Sequence, residues 1–122
     1  MLAAILLARG ALDRPAGAPR PRFALLHSAA MPKPFEPILA EMGQRSDGCG
    51  FPTLHTLSEA DRINPPEMGA QLAKWSGPQA EVLWHGGGHV VPVDEKSLAS
   101  VREFLERQKD CLLYTSPSPR DS

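Results

Sequence analysis

The chain has 122 residues, with 13 Lys and Arg against 14 Asp and Glu, for a net charge of −1. That length allows one domain. The near-neutral balance gives no basic footprint for nucleic acid, and no run of ~18 apolar residues is available to span a membrane. Hydrophobic residues make up 42% and charged residues 22%, the balance of an ordinary globular domain. Cys49 and Cys111 stand alone without CxxC spacing, so they read as free thiols of a reducing, cytoplasmic compartment.

Met1 to Arg9 is apolar and rich in good helix formers. No Lys or Arg precedes the run, so it reads as a buried helix ended by Gly10 and not as a secretory leader. Gly10 to Pro21 is a connector rich in Pro, Gly, Ala and Arg. Arg22 to His27 is a short apolar run without alternation, as in a strand of a parallel sheet covered on both faces. Pro32, Pro34 and Pro37 predict a long loop with a helical turn at Ile38 to Met42, continued by polar chain from Gly43 to Gly50.

Pro52 to Leu57 is the second strand expected. Asn64-Pro65-Pro66-Glu67 is a helix start, with Asn64 as N-cap, prolines in the first turn and a glutamate three residues after the cap. The helix runs from Met68 to Trp75 and stops at Gly77-Pro78. Ala80 to His85 is the third strand. Asp94 or Ser97 caps a last helix, whose Leu98, Val101, Phe104 and Leu105 mark one buried face. Trp75 and Trp84 are expected in the core.

Strands alternating with helices predict an α/β fold, with about three parallel strands and flanking helices. In such sheets functional groups gather on loops beyond the carboxyl ends of the strands. Asp61 and His89 both fall on such loops. Three parallel strands alone leave two open edges and a small core.

An imidazole after a strand can take a proton from a serine nucleophile, and a carboxylate on its other nitrogen fixes the tautomer. Asp61 followed by His89 keeps the chain order of acid and base in an α/β-hydrolase, and Gly86-Gly87-Gly88 frees the turn that presents the imidazole. The Gly-x-Ser-x-Gly nucleophile turn that should precede them is absent. Rivals are weaker. His85-Gly86-Gly87-Gly88 imitates an oxyanion motif that belongs before the nucleophile. His85-x3-His89 has zinc-ligand spacing without further ligands nearby, so neither metal nor cofactor is expected. His27 and His55 read as packed strand histidines. Ser28 lacks the glycines of a nucleophile turn, and Glu59 is an alternative acid.

Phe51-Pro52-Thr53-Leu54-His55, Asp61-Arg62-Ile63-Asn64-Pro65-Pro66 and Gly87-Gly88-His89-Val90-Val91-Pro92 resemble the signatures of the FSH-type serine hydrolase family, α/β-hydrolases related to carboxylesterases and thioesterases. The resemblance spans about residues 1 to 108. It implies Asp61 as acid and His89 as base of an enzyme acting on small carboxylic esters or thioesters. It also likens Met1 to Leu7 to the helix after the nucleophile turn, so the missing serine is expected just upstream of Met1. The chain departs from the family in lacking that serine and the oxyanion donors, and its His27-Ser28-Ala29 lacks the glycine usual after that strand.

Cys111 to Asp121 spells the translation of a transposase-type sequencing adapter, TGT CTC TTA TAC ACA TCT followed by CCG AGC CCA CGA GAC. The expected organisation is therefore a partial hydrolase domain over 1–110, inactive by itself, and a disordered adapter-like tail over 111–122. The alternative is a non-catalytic α/β module that binds a protein partner through the proline-rich loop.

Overall fold

A computed structural model of the chain describes residues 2–13 and 21–115. The chain divides into two compact units, Met1–Pro92 and Val93–Ser122. The first unit carries α1 (Leu2–Asp13), β1 (Ala24–His27), a single 3-10 turn (Lys33–Phe35), α2 (Glu36–Gly43), β2 (Thr53–Ser58), α3 (Pro66–Ser76) and β3 (Ala80–His85). The second carries α4 (Glu95–Thr115).

The three strands form one parallel sheet in the order β1-β2-β3. Ala24 pairs with Thr53 and His27 with Thr56; Thr53 pairs with Ala80 and Ser58 with His85. The all-parallel fold expected from the alternation of elements is the fold observed. Parallel strands need a crossover between them, and α2 and α3 supply the two crossovers. β2 lies in the centre, and all six of its residues are buried. Its continuous run of Thr53, Leu54, His55, Thr56, Leu57 and Ser58 follows from that position.

The core of this unit joins Ala4, Leu7 and Ala8 of α1, Leu39 and Met42 of α2, Leu72 of α3 and Leu26 of β1, with Met31, Cys49 and Phe51 from the loops. α1 packs on α2, α2 on α3, and α3 on β2 and β3. Gly69 allows the last of these approaches: a Cβ there would lie 2.2 Å from Leu57 Cδ2. Truncating a fully buried side chain such as Leu39 to alanine should cost about 2–5 kcal/mol.

Several expectations need correction. α1 does not end at Gly10 but continues to Asp13. One glycine inside a helix costs only about 1 kcal/mol, and Ala11 and Leu12 continue the turn. Residues 14–20, most of the expected connector, lie outside the described residues. Asn64 is not an N-cap: α3 starts after Pro65, and no side chain caps it. Trp84 is not a core residue. It is 48% exposed, because β3 is an edge strand and Val82 and Trp84 share a face that nothing in this unit fully covers.

In the second unit Asp94 is the cap of α4, its Oδ2 accepting the Ser97 backbone N–H at 3.0 Å. Among the side chains of α4 that the structure describes, Ser97, Phe104 and Gln108 are buried, whereas Leu98 and Leu105 are 45% and 37% exposed. The buried stripe is thus rotated toward the polar side of the expected one. Gln108 tolerates this because its amide donates to the Phe104 carbonyl at 3.0 Å. α4 reaches Thr115, so positions 111–115 of the adapter-like segment fall within the helix. Residues 116–122 lie outside the described residues.

Candidate active site

The loops after β2 and β3 emerge side by side from the carboxyl edge of the sheet, as parallel pairing of their strands requires. The β2 loop turns sharply. Ser58 C=O accepts the Asp61 N–H at 3.1 Å, and Ser58 Oγ accepts the Ala60 N–H at 3.1 Å. Asp61 then organises the chain beyond it: its Oδ1 accepts the N–H groups of Ile63 at 2.8 Å and Asn64 at 2.9 Å. This is an Asx-type turn, for which aspartate is suited by its short acceptor side chain.

The β3 loop is built from glycines. His85 Nδ1 accepts the Gly87 N–H at 3.1 Å. Gly88 is buried and has φ +81°, a conformation that side chains disfavour. Its N–H donates to Ser58 Oγ at 3.0 Å, and its C=O accepts the Val90 N–H at 2.9 Å. His89 is therefore the central residue of a three-residue turn.

The two loops meet through Asp61 Oδ2 and His89 Nδ1, 3.1 Å apart. An ionised carboxylate only accepts hydrogen bonds, so Nδ1 carries the proton and donates it. That leaves the lone pair on Nε2. The Asp61 side chain is 3% exposed and that of His89 40% exposed. Burial alone pushes the Asp61 carboxyl pKa up. The Asn64 N–H, the His89 ring and the Ile63 N–H together outweigh it, holding the group below its ordinary value. The arrangement can accept a proton at Nε2 and stabilise the resulting imidazolium from behind.

The other candidates lie elsewhere in chemistry. Glu59 is exposed, and it is Asp61 that meets His89. His55 is buried, its Nε2 is 2.9 Å from Thr53 Oγ1, and burial pulls its pKa down to about 4. His27 Nδ1 lies 2.7 Å from Thr56 Oγ1, and burial, then the charge of His85, lowers its pKa. Ser28 has φ +54° and a buried Oγ with no partner. His85 and His89 direct their Nδ1 atoms to different partners, and among the described residues no three His, Cys, Asp or Glu side chains gather as a metal site.

Two residues of this region escape sequence reasoning. Ser58 reads as an ordinary strand-end serine, although a serine placed just before a turn is a recognised local acceptor. Asn64 has the right spacing for a cap. Instead its Nδ2 donates to Ser28 C=O at 2.8 Å, tying the Asp61 turn to the end of β1.

A parallel sheet with helical crossovers, carrying these loops at its carboxyl edge, is the architecture of an α/β-hydrolase. It superposes on acyl-protein thioesterase 2 of Zea mays with a TM-score of 0.54 at 18% identity, over 87% of this chain and 49% of that one. The chain matches the family model "Serine hydrolase (FSH1)" over residues 1–101, and it belongs to that family. Similar proteins include human Esterase OVCA2, 34% identical over 109 residues, which cover 87% of this chain and 44% of that protein. Another is Esterase CG5412 of Drosophila melanogaster, 33% identical over 87 residues, or 71% of this chain and 29% of that protein. The chain thus spans less than half the length of these relatives.

Proposed function

We propose that this chain supplies the acid and base of a serine hydrolase acting on carboxylic esters or thioesters, with Asp61 as the orienting acid and His89 as the base. The observation that carries the reading is the 3.1 Å contact between a shielded Asp61 carboxylate and His89 Nδ1, with the His89 side chain 40% exposed. The relatives named as esterases support the ester class. Among the described residues no helix is long and apolar enough to cross a membrane.

In the reaction, His89 Nε2 takes the proton of a serine hydroxyl as its oxygen attacks the ester carbonyl. Asp61 stabilises the imidazolium, which then protonates the leaving alcohol or thiol. Water repeats the sequence on the acyl-serine. No Gly-x-Ser-x-Gly occurs in the 122 residues, and we place the nucleophile in polypeptide outside them. The chain by itself is then a fragment of the catalytic apparatus.

The test is to extend the reading frame upstream of Met1 and treat the product with a fluorophosphonate probe. Labelling is expected at a serine in the added segment. It should fall by about 10⁴ in Asp61→Asn, the loss typical when a triad acid is neutralised, and at least as far in His89→Ala. An extended frame without a nucleophile turn, or labelling that survives His89→Ala, overturns the proposal.

A further inference from the structure

Ser58 closes β2, is 1% exposed, and stands in register with His85. Its Oγ accepts two backbone N–H groups, from Ala60 at 3.1 Å and from Gly88 at 3.0 Å. Its C=O accepts a third, from Asp61 at 3.1 Å. One residue therefore binds the position before Asp61, Asp61 itself, and the position before His89. A hydroxyl has two lone pairs, and here both are used, one on each loop.

We propose that Ser58 is a positioning residue for the Asp61–His89 pair, its hydroxyl setting the separation of the acid loop from the base loop. The inference rests on the reading of that pair as the acid and base of a hydrolase. The bonds along each loop are local: Asp61 fixes Ile63 and Asn64, His85 fixes Gly87, and Gly88 fixes Val90. The Ser58 hydroxyl bridges the two loops by hydrogen bonds, as the Asp61–His89 contact itself does. Gly88 has no side chain and a φ of +81°, and its N–H donates to Ser58 Oγ. The next residue is His89. A misplacement of about 1 Å in a catalytic site can cost on the order of 10²-fold in rate.

Alanine and glycine at position 58 would accept neither bond, whereas threonine keeps the hydroxyl on the same carbon. Ser76 gives a matched comparison, since it is equally buried and its Oγ bonds the Leu72 carbonyl within α3, remote from both loops.

The experiment uses the 122-residue chain and needs no turnover. Nitrogen-15 shifts of His89 at alkaline pH report which ring nitrogen carries the proton, and hydrogen exchange reports the Gly88 amide. In the unaltered chain the proton is expected on Nδ1. Ser58→Ala should shift at least half of the population to Nε2 and speed Gly88 exchange roughly tenfold, as for the loss of one buried hydrogen bond. Ser58→Thr should restore both signals, and Ser76→Ala should leave them unchanged. If Ser58→Ala fails to fold, Ser58→Thr decides: a folded threonine variant that loses the Nδ1 proton overturns the proposal, and one that keeps it supports it. Unchanged signals in Ser58→Ala, or equal changes in Ser76→Ala, also overturn it. Because the readout is a tautomer, failure of fluorophosphonate labelling would refute the hydrolase reading without touching this result.

Discussion

Asn64 is tied to Ser28 across 36 positions of sequence, its Nδ2 donating to the Ser28 carbonyl at 2.8 Å. The same residue gives its backbone N–H to Asp61 Oδ1. Asn64 therefore couples the end of β1 to the acid turn while the backbone holds the carboxylate. Asn64→Ala should lower stability by about 1 kcal/mol, the usual net worth of such a bond. Asn64→Asp should cost more, because it sets a carboxylate oxygen against the Ser28 carbonyl. Urea midpoints of the two variants check the order.

His55 predicts a stability change in mild acid. Burial lowers its pKa from 6.5 to about 4, so the native state holds it neutral. Below pH 6.5 the unfolded chain takes up a proton that the folded chain refuses, and stability falls until about pH 4. The loss should total about 3 kcal/mol. Unfolding free energies measured between pH 7 and 4 should show this slope, and His55→Leu should remove it.

Asp61 acts in a lower window. Its pKa is depressed in the folded state, so its contribution is fully present above the ordinary carboxylate value. It is lost as pH falls through the folded value, when protonation removes the charge that accepts from His89, Ile63 and Asn64. Asp61→Asn should flatten the stability profile below about pH 4 and leave the His55 slope intact. The same titration series, repeated on the variant, separates the two.

Gly88 should resist substitution for conformational reasons. A Cβ there would meet nothing nearer than Ala60 O at 3.5 Å, so space is adequate. The φ of +81° is the obstacle, and Gly88→Ala should cost about 1–2 kcal/mol. Gly88→Asn should cost less than alanine and Gly88→Val more, since asparagine visits this region and β-branched residues avoid it. Thermal unfolding of the three variants gives the ranking.

The strands and the loops carrying Asp61 and His89 are legible in the sequence because apolar runs and turn residues are local signals. Ala80 to His85 has the bounds its apolar run suggests, and β1 lacks only the first two residues of its run, Arg22 and Phe23. Trp84 is not legible in this way, because its exposure depends on which strand lies at the sheet edge, which is a property of the assembled sheet. The α4 stripe departs from the apolar spacing because Gln108 meets its hydrogen-bonding need within its own helix, so a polar side chain can be buried. Ser58 and Asn64 stay hidden for a related reason: each acts through backbone groups brought near by folding, and neither partner at position 88 or 28 marks the sequence.

The unequal exposure of Asp61 and His89 has a chemical consequence. The Asp61 side chain has little contact with solvent, while that of His89 is well exposed. A carbodiimide should therefore modify Asp61 more slowly than an exposed carboxylate such as Glu59, while an acylating reagent should reach the His89 ring. Under the proposed reading, the pair would be a half-insulated relay, its electrostatic anchor shielded and its proton-accepting residue exposed to the group brought to it.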